Sequence, residues 1–177
     1  IEKNKKEGRY TLYHYGKDLD LINSKEIIIT YNLEQRKILH FTLMKDKILV
    51  FESLIKASKK SKSIRMSTFD LLSFEKIGEP KIVFESKYKG IWKFANRFHF
   101  LRSPNSKYLL ICESNYQSNK QREIGIAILN EDNDNIQTEK ISIQKKRFLI
   151  IQNALISDSG EVFILQKRCW HVDPTNK

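Results

Sequence analysis

Apolar residues along this chain recur in short bursts separated by charged and Asn/Asp/Ser-rich clusters, a rhythm typical of β-strands. The bursts are rich in Ile, Val, Phe and Tyr, which favour the pleated surface of a sheet. A helix over residues 37–44 would lack capping residues and would run directly into the next apolar burst. The pattern therefore predicts an all-β fold. The predicted strands include residues 27–31, 48–51, 64–72, 82–84, 108–112, 124–129, 148–151 and 162–165.

A longer period lies over these strands. Residues 98–112 and 151–165 both consist of an apolar strand, a tight turn and an apolar strand, with Ser103 and Ser157 at matching turn positions. Residues 39–53 form a third copy, because they end in a Glu-Ser pair and the same pair follows residues 98–112. Two of the copies continue through a polar loop, a third strand, an acidic turn and a fourth strand. The chain therefore contains a repeating four-strand unit of about 55 to 60 residues.

The turns of this repeat resemble the Ser-Pro-Asp-Gly turns that join the first two strands of blades in bacterial TolB-like and WD40-like β-propellers. Such a tight hairpin favours Asn, Asp, Ser or Gly where φ is positive. The resemblance implies a half blade over 1–36, whole blades over 37–90 and 91–145, and a half blade over 146–177. It also implies a location in the cell envelope or outside the cell. The two turns read Ser103-Pro104-Asn105-Ser106-Lys107 and Ser157-Asp158-Ser159-Gly160-Glu161.

Three blade equivalents are too few for a ring, since propellers close with about 4 to 8 blades. We therefore expect either missing blades in a longer chain or self-association of two copies, because open blade edges are adhesive. The chain begins with Ile1 rather than Met and has no apolar leader, so we expect it to be part of a longer or processed chain. A β-sandwich is the alternative fold, because short alternating strands also build one.

The crossing between the two predicted whole blades carries the first candidate ligand-binding residues. In propellers such crossings line the ligand-binding face, and an aromatic ring beside cationic and amide groups suits a carbohydrate, a peptide or a carboxylate. The alternative is that the aromatic rings only wedge between blades. The candidate residues are Trp92, Lys93, Asn96, Arg97 and His99.

Positive charge is in excess in this chain of 177 residues, which has 32 Lys and Arg against 21 Asp and Glu and a net charge of +11. The densest basic loop precedes the third strand of the first whole blade, and it is either a polyanion site or a solvated hairpin loop. The remaining cations look dispersed along the sequence. Nucleic-acid binding is not expected, because aromatic residues do not interleave with the basic ones. The basic loop comprises Lys56, Lys59, Lys60, Lys62 and Arg65.

The sequence holds no catalytic or metal-binding spacing. The four histidines stand singly. The acidic segment 130–135 is predicted to form a turn, because it has no glycine at the sharp bend of a calcium loop and no glutamate follows at the twelfth position. Cys112 and Cys169 lie in apolar segments, and we expect them to be core residues. We expect no metal, no cofactor and no membrane span, because the apolar runs are much shorter than a bilayer requires.

These features favour a non-catalytic propeller-type module that engages a protein or a glycan through its inter-blade loops. One alternative is the propeller domain of a hydrolase or peptidase, which would gate substrate or line a channel with catalytic groups. A weaker alternative is a polyanion binder, in which the basic residues themselves form the site.

Overall fold

A computed structural model describes residues 6–31, 35–56, 61–87, 97–114, 123–131, 136–142 and 147–170. Every regular element in these ranges is a β-strand, so the prediction of an all-β fold is confirmed. None of these residues forms a helix long and apolar enough to cross a membrane. The twelve strands are β1 Lys6–Tyr15, β2 Leu21–Tyr31, β3 Gln35–Met44, β4 Lys47–Lys56, β5 Ser61–Asp70, β6 Lys76–Lys87, β7 Arg97–Arg102, β8 Tyr108–Ser114, β9 Glu123–Asn130, β10 Ile136–Ser142, β11 Arg147–Ile156 and β12 Val162–Trp170.

The strands form four antiparallel sheets in which sequence neighbours pair. Strands β3 to β6 form one four-stranded sheet, strands β7 to β10 form another, and β1–β2 and β11–β12 are two-stranded. The chain divides into two compact units, unit 1 over Ile1–Lys87 and unit 2 over Tyr88–Lys177. Each unit therefore contains one four-stranded and one two-stranded sheet. The arrangement of these sheets as a propeller stays a prediction.

The core of unit 1 lies between β1–β2 and the sheet β3–β6. Ile48 and Val50 of β4, together with Phe69 of β5, point to this side and are buried. Leu12 of β1 and Ile27 of β2 pack against them. Burying apolar area at about 25 cal/mol per Å² is the main favourable term in such packing. The alternation of inward and outward residues along β1 and β2 thus fastens the two-stranded sheet to its neighbour.

A loop between β5 and β6 adds polar contacts to this packing. The Asp70 carboxylate accepts hydrogen bonds from the N–H groups of Leu72 (3.0 Å) and Ser73 (2.7 Å). Asn23 of β2 donates to the Leu72 carbonyl at 3.0 Å, and Lys25 of β2 forms an ion pair with Glu75 at 2.8 Å. The predicted strand 64–72 is therefore too long, because the Asp70 side chain turns the backbone and ends β5 at that residue.

The core of unit 2 lies between β11 and the sheet β7–β10. Ala154 and Ile156 of β11 are 2% and 4% exposed, and they pack against Leu110, Cys112 and Ile126. Partly buried apolar residues of β7, β10 and β12 surround this cluster. Cys112 is fully buried and forms no disulfide, which confirms the prediction that it is a core residue. The side chain of Cys169 lies outside the described residues.

The two Ser-containing turns of unit 2 lie against each other and close with similar hydrogen bonds, although the Ser103 turn is one residue longer. The Ser103 N–H donates to the Tyr108 carbonyl at 3.0 Å, and the Ser157 N–H donates to the Glu161 carbonyl at 2.9 Å. In both turns the residue three positions after the serine has a positive φ, 65° at Ser106 and 86° at Gly160, and its N–H donates to the serine carbonyl. The matching geometry explains why the two turns carry similar sequences.

One carboxylate joins these turns across the two sheets. Asp158 accepts a hydrogen bond from the Asn105 N–H at 2.7 Å. Because the turns meet, corresponding strand ends of the two sheets in unit 2 lie side by side.

We expect Gly160→Ala to be more destabilising than Gly78→Ala. A Cβ at Gly160 would lie 3.1 Å from the Tyr108 ring, whereas a Cβ at Gly78 would meet nothing within 4 Å. Both glycines have positive φ, so both variants incur about 1–2 kcal/mol of backbone strain, and only Gly160→Ala adds a crowded contact. Thermal unfolding should show a drop of about 2–4 °C for each kcal/mol lost. Equal shifts in the two variants would contradict the close approach of the turn to Tyr108.

The Asp70 loop should make stability depend on acid pH. Backbone and side-chain hydrogen bonds from Ser73 lower the pKa of Asp70 below its ordinary value. The folded state therefore prefers the ionised carboxylate. The contribution of Asp70 to the free energy of unfolding is complete above the ordinary pKa, and it is lost as the pH falls through the lower pKa of the folded state. Asp70→Asn should show a smaller loss of urea resistance between pH 7 and pH 3 than the unmodified chain. Asp18→Asn, in the β1–β2 turn, is the control, and identical behaviour of both variants would refute the role of Asp70.

Candidate functional site

The structure describes only part of the predicted ligand-binding segment. Trp92, Lys93 and Asn96 lie outside the described residues. Arg97 is the first residue of β7, paired with Ser114 of β8. Whether the five predicted residues form one site therefore stays a prediction.

His99 is half-buried in β7 and lies directly opposite Cys112 in the register. A histidine beside a cysteine is the arrangement of a nucleophilic enzyme only if the thiol ionises readily. Burial raises the pKa of Cys112 to about 11, so almost all of this thiol is protonated at neutral pH. The pair therefore belongs to the sheet interior and does not supply a nucleophile.

A second histidine occupies the corresponding place in the other four-stranded sheet. His40 of β3 lies opposite Phe51 of β4, with the two ring centroids 6.4 Å apart. Desolvation by burial lowers the pKa of His40, which favours the neutral imidazole. Among the described residues, no three His, Cys, Asp or Glu side chains come together as a metal site requires.

The basic loop predicted from the sequence follows the end of β4. Lys59 and Lys60 lie outside the described residues, Lys56 ends β4, and Lys62 is the second residue of β5. Arg65 is half-buried further along β5, opposite Glu52. The predicted five residues are thus distributed along a hairpin, and only those near its connection share one end of the sheet.

Further cations reach this same end from other strands. The register places Lys56 opposite Ser61, and Ser61 opposite Lys87, so lysines stand on both sides of the serine. Glu85 is the one acid among the last three positions of the four strands at this end. We call this end of a unit the basic end. It is the end at which the odd-numbered strands begin and the even-numbered strands finish. In the sheet β3–β6 its cations are Arg36, Lys37, Lys56, Lys62 and Lys87.

The opposite end of the same sheet has balanced charge. Its cations are exposed or half-buried in the β3–β4 turn and at the starts of β4 and β6. Acids in the two turns offset them one for one. The charged residues there are Lys45, Lys47 and Lys76 against Asp46, Asp70 and Glu75.

Unit 2 shows a weaker separation of charge in the same direction. The three strand positions nearest its basic end hold four cations, Arg97, Lys140, Arg147 and Arg168, against two acids, Glu113 and Glu123. The described residues at the other end hold three acids, Glu131, Asp158 and Glu161, against Arg102 and Lys107. The excess of cations therefore lies at the same end as in unit 1.

The amino acids of the connections strengthen this difference. Connections at the basic ends, including residues 88–96 between the units, contain eight Lys or Arg and one acid, Glu34. Connections at the opposite ends contain three Lys and nine Asp or Glu. The positive charge is thus segregated by strand end, and the expectation that most of it is dispersed is wrong in this respect.

Antiparallel strands hide this arrangement in the linear sequence. The end of one strand and the start of the next lie side by side, whereas the two ends of a single strand are far apart. Cations therefore alternate with acids along the chain at intervals of about one strand. Counting the charged residues of odd-numbered and even-numbered connections separately would reveal the pattern.

No protein-family model, curated protein or solved structure matches this chain. The candidate site therefore depends on the described strands and on the amino acids of the connections between them.

We expect Cys112 to resist thiol reagents in the folded chain. In a Cys169→Ser background, a pKa of about 11 leaves roughly one thiolate in a thousand at pH 8, and burial excludes the reagent. Modification should be at least about a hundredfold slower than in denaturant, measured by absorbance with an aromatic disulfide. Rapid reaction of the native protein would show that the His99–Cys112 pair is accessible and reactive.

Proposed function

We propose that this chain is a non-catalytic binding module built from propeller-type blades, and that its basic end engages a polyanionic partner, an acidic protein surface or an acidic glycan. One observation carries the proposal: cations outnumber acids at one end of the strands in both units, whereas the other end has as many acids as cations or more. An evenly charged surface would attract anions without orientation, whereas this separation gives the module a binding face.

The propeller part of the proposal draws support from how neighbouring sheets pack. Within each unit, consecutive antiparallel sheets stack face to face, and unit 2 repeats its first hairpin with a matching turn. In a propeller, the strand ends make up the two faces of the disc.

The binding chemistry follows from the groups at that end. Lysine and arginine form short, charge-assisted hydrogen bonds to carboxylates and sulfates. Individually such exposed pairs contribute little, about 0.2–1 kcal/mol each, so useful affinity requires many of them on one surface. The sheet β3–β6 alone supplies five cations at this end.

The hydrolase or peptidase alternative has no observation among the described residues to carry it. The one histidine–cysteine pair that could suggest catalysis has a protonated, buried thiol. We therefore retain the binding function and leave the enzymatic one without a proposed site.

Charge removal at the basic end should weaken binding to heparin, used as a sulfated probe. The triple variant Lys56→Gln, Lys62→Gln, Lys87→Gln should lose about tenfold in affinity at about 100 mM salt, because three of the cations at one end are gone. Affinity of the unmodified chain should fall steeply with salt, and the variant should have the shallower slope. Titration calorimetry over a salt series measures both.

A matched control removes the same number of charges from the opposite end of the same sheet. Lys45→Gln, Lys47→Gln, Lys76→Gln should change heparin affinity by less than about twofold, since these lysines have acids beside them. Equal losses in the two triple variants would refute a directional binding face. Polyglutamate and duplex DNA are the further probes. Binding to DNA as tight as to heparin would contradict the expectation that nucleic acid is not the partner.

A further inference from the structure

The face of β11–β12 that points away from the unit 2 core is apolar and exposed. Leu155, Phe163 and Leu165 are 63%, 56% and 66% exposed, whereas Ala154 and Ile156 on the other face are buried. Leu155 lies opposite Phe163 in the register, so the three side chains form one continuous strip. Water contact with such a strip is unfavourable in proportion to its apolar area.

The neighbouring hairpin β7–β8 shows what covers this strip elsewhere in the fold. The matched turns align the pair Leu155 and Phe163 with the pair Leu101 and Leu110. Leu110 is fully buried, because Ala154 and Ile156 of the following sheet pack on it. The exposed strip is therefore the surface on which the first strand of a following sheet packs.

A second exposed strip lies on β3, the first strand of the four-stranded sheet in unit 1. Phe41 and Leu43 of β3 are 61% and 45% exposed, although their register partners Val50 and Ile48 are buried. The sheet β1–β2 covers those partners through Leu12 and leaves β3 bare at this point.

A shared bulge shows which residues of β11 correspond to this strip. The pairing shifts between Ile38 and His40 in β3, and between Ile151 and Asn153 in β11. Counting from these bulges aligns Phe41 with Ala154 and Leu43 with Ile156. Ala154 and Ile156 of β11 pack on β8. The exposed strip of β3 therefore corresponds to the surface that contacts the first hairpin of a preceding sheet.

The two terminal sheets lack opposite halves of a four-stranded sheet. β11–β12 matches the first hairpin, as its bulge and turn show, and β1–β2 precedes a whole sheet at the position of a second hairpin. Each strip is exposed where the absent half would lie.

We propose that a second copy of this chain supplies the absent half at both ends. The β11–β12 hairpin of one copy lies beside β1–β2 of the other and completes a four-stranded sheet in the order β11, β12, β1, β2. Leu155, Phe163 and Leu165 then pack on Phe41 and Leu43 of the other copy, as β8 packs on β11 within unit 2. The contact occurs twice in a symmetric pair of copies.

A second copy is the occupant that this fold favours, because each chain presents both strips once. Two copies therefore cover both of these strips, whereas an unrelated partner would have to imitate both. The proposal does not depend on the basic end or on its ligand, since the strips lie on sheet faces and the cations lie at strand ends.

The first test is the mass of the chain in solution by sedimentation equilibrium. We expect about twice the 21.0 kDa of one chain. Phe163→Lys and Phe41→Lys should each shift the mass towards the monomer, with the dissociation constant rising at least about a hundredfold, because each places a charge in both copies of the contact. Both residues are exposed in the single chain, so the variants should keep their circular dichroism and cooperative unfolding.

Leu72→Lys is the matched control, since Leu72 is 77% exposed in the β5–β6 loop and outside both strips. It should remain a dimer. A stable 21 kDa monomer of the unmodified chain, an open-ended series of larger species, or equal dissociation of the control would overturn the proposal.

Mixing the two charged variants distinguishes head-to-tail contact from other dimers. A pair of one Phe163→Lys chain and one Phe41→Lys chain carries both lysines in one contact and leaves the other contact unmodified. The mixture should therefore recover dimer at concentrations where each variant alone is monomeric. A mixture that stays monomeric would show that the two strips do not meet.

Discussion

The packing of one sheet face on the next is the interaction on which this structure depends. Four consecutive residues of β8, from Leu109 to Cys112, are fully buried, which requires cover on both sides of the strand. A strand of this kind reads as a continuous apolar run instead of an alternating one. In unit 2 the cover on one side is β11, and in unit 1 the sheet β1–β2 has the equivalent role for β4. A two-stranded sheet alone would be marginal in water, so each terminal pair depends on the sheet beneath it.

The same constraint explains the polar contacts at the strand ends. The turn at Ser103 and the turn at Ser157 can meet only if their sheets are stacked in register, and the Asp158 carboxylate joins them once they are. In unit 1 the Asp70 loop has the corresponding role, because it bends back over β2 and receives Asn23 and Lys25. These bonds are exposed and individually weak, so they orient sheets that apolar burial holds together.

Charge follows the topology in a way that links the fold to its proposed role. Antiparallel strands return to the same end at every second connection, so a sequence that alternates basic and acidic connections builds sheets with unlike ends. The strand interiors contribute little to this difference, since residues such as Ile48 and Leu110 are buried. The net charge of +11 is therefore distributed unevenly, with an excess of cations at the basic end of each unit.

The sequence by itself determined the strands, because β-branched and aromatic bursts between polar clusters leave few other conformations. It also determined the paired turns at Ser103 and Ser157, whose polar residues accept the positive φ that closure needs, and the burial of Cys112. Only the tertiary structure decided that β5 ends at Asp70, since the end of the strand depends on hydrogen bonds that the N–H groups of Leu72 and Ser73 donate to the Asp70 carboxylate. It alone gathered Lys56 and Lys87 beside one serine and left Phe41 and Phe163 exposed, because register and stacking bring together residues that the chain keeps far apart.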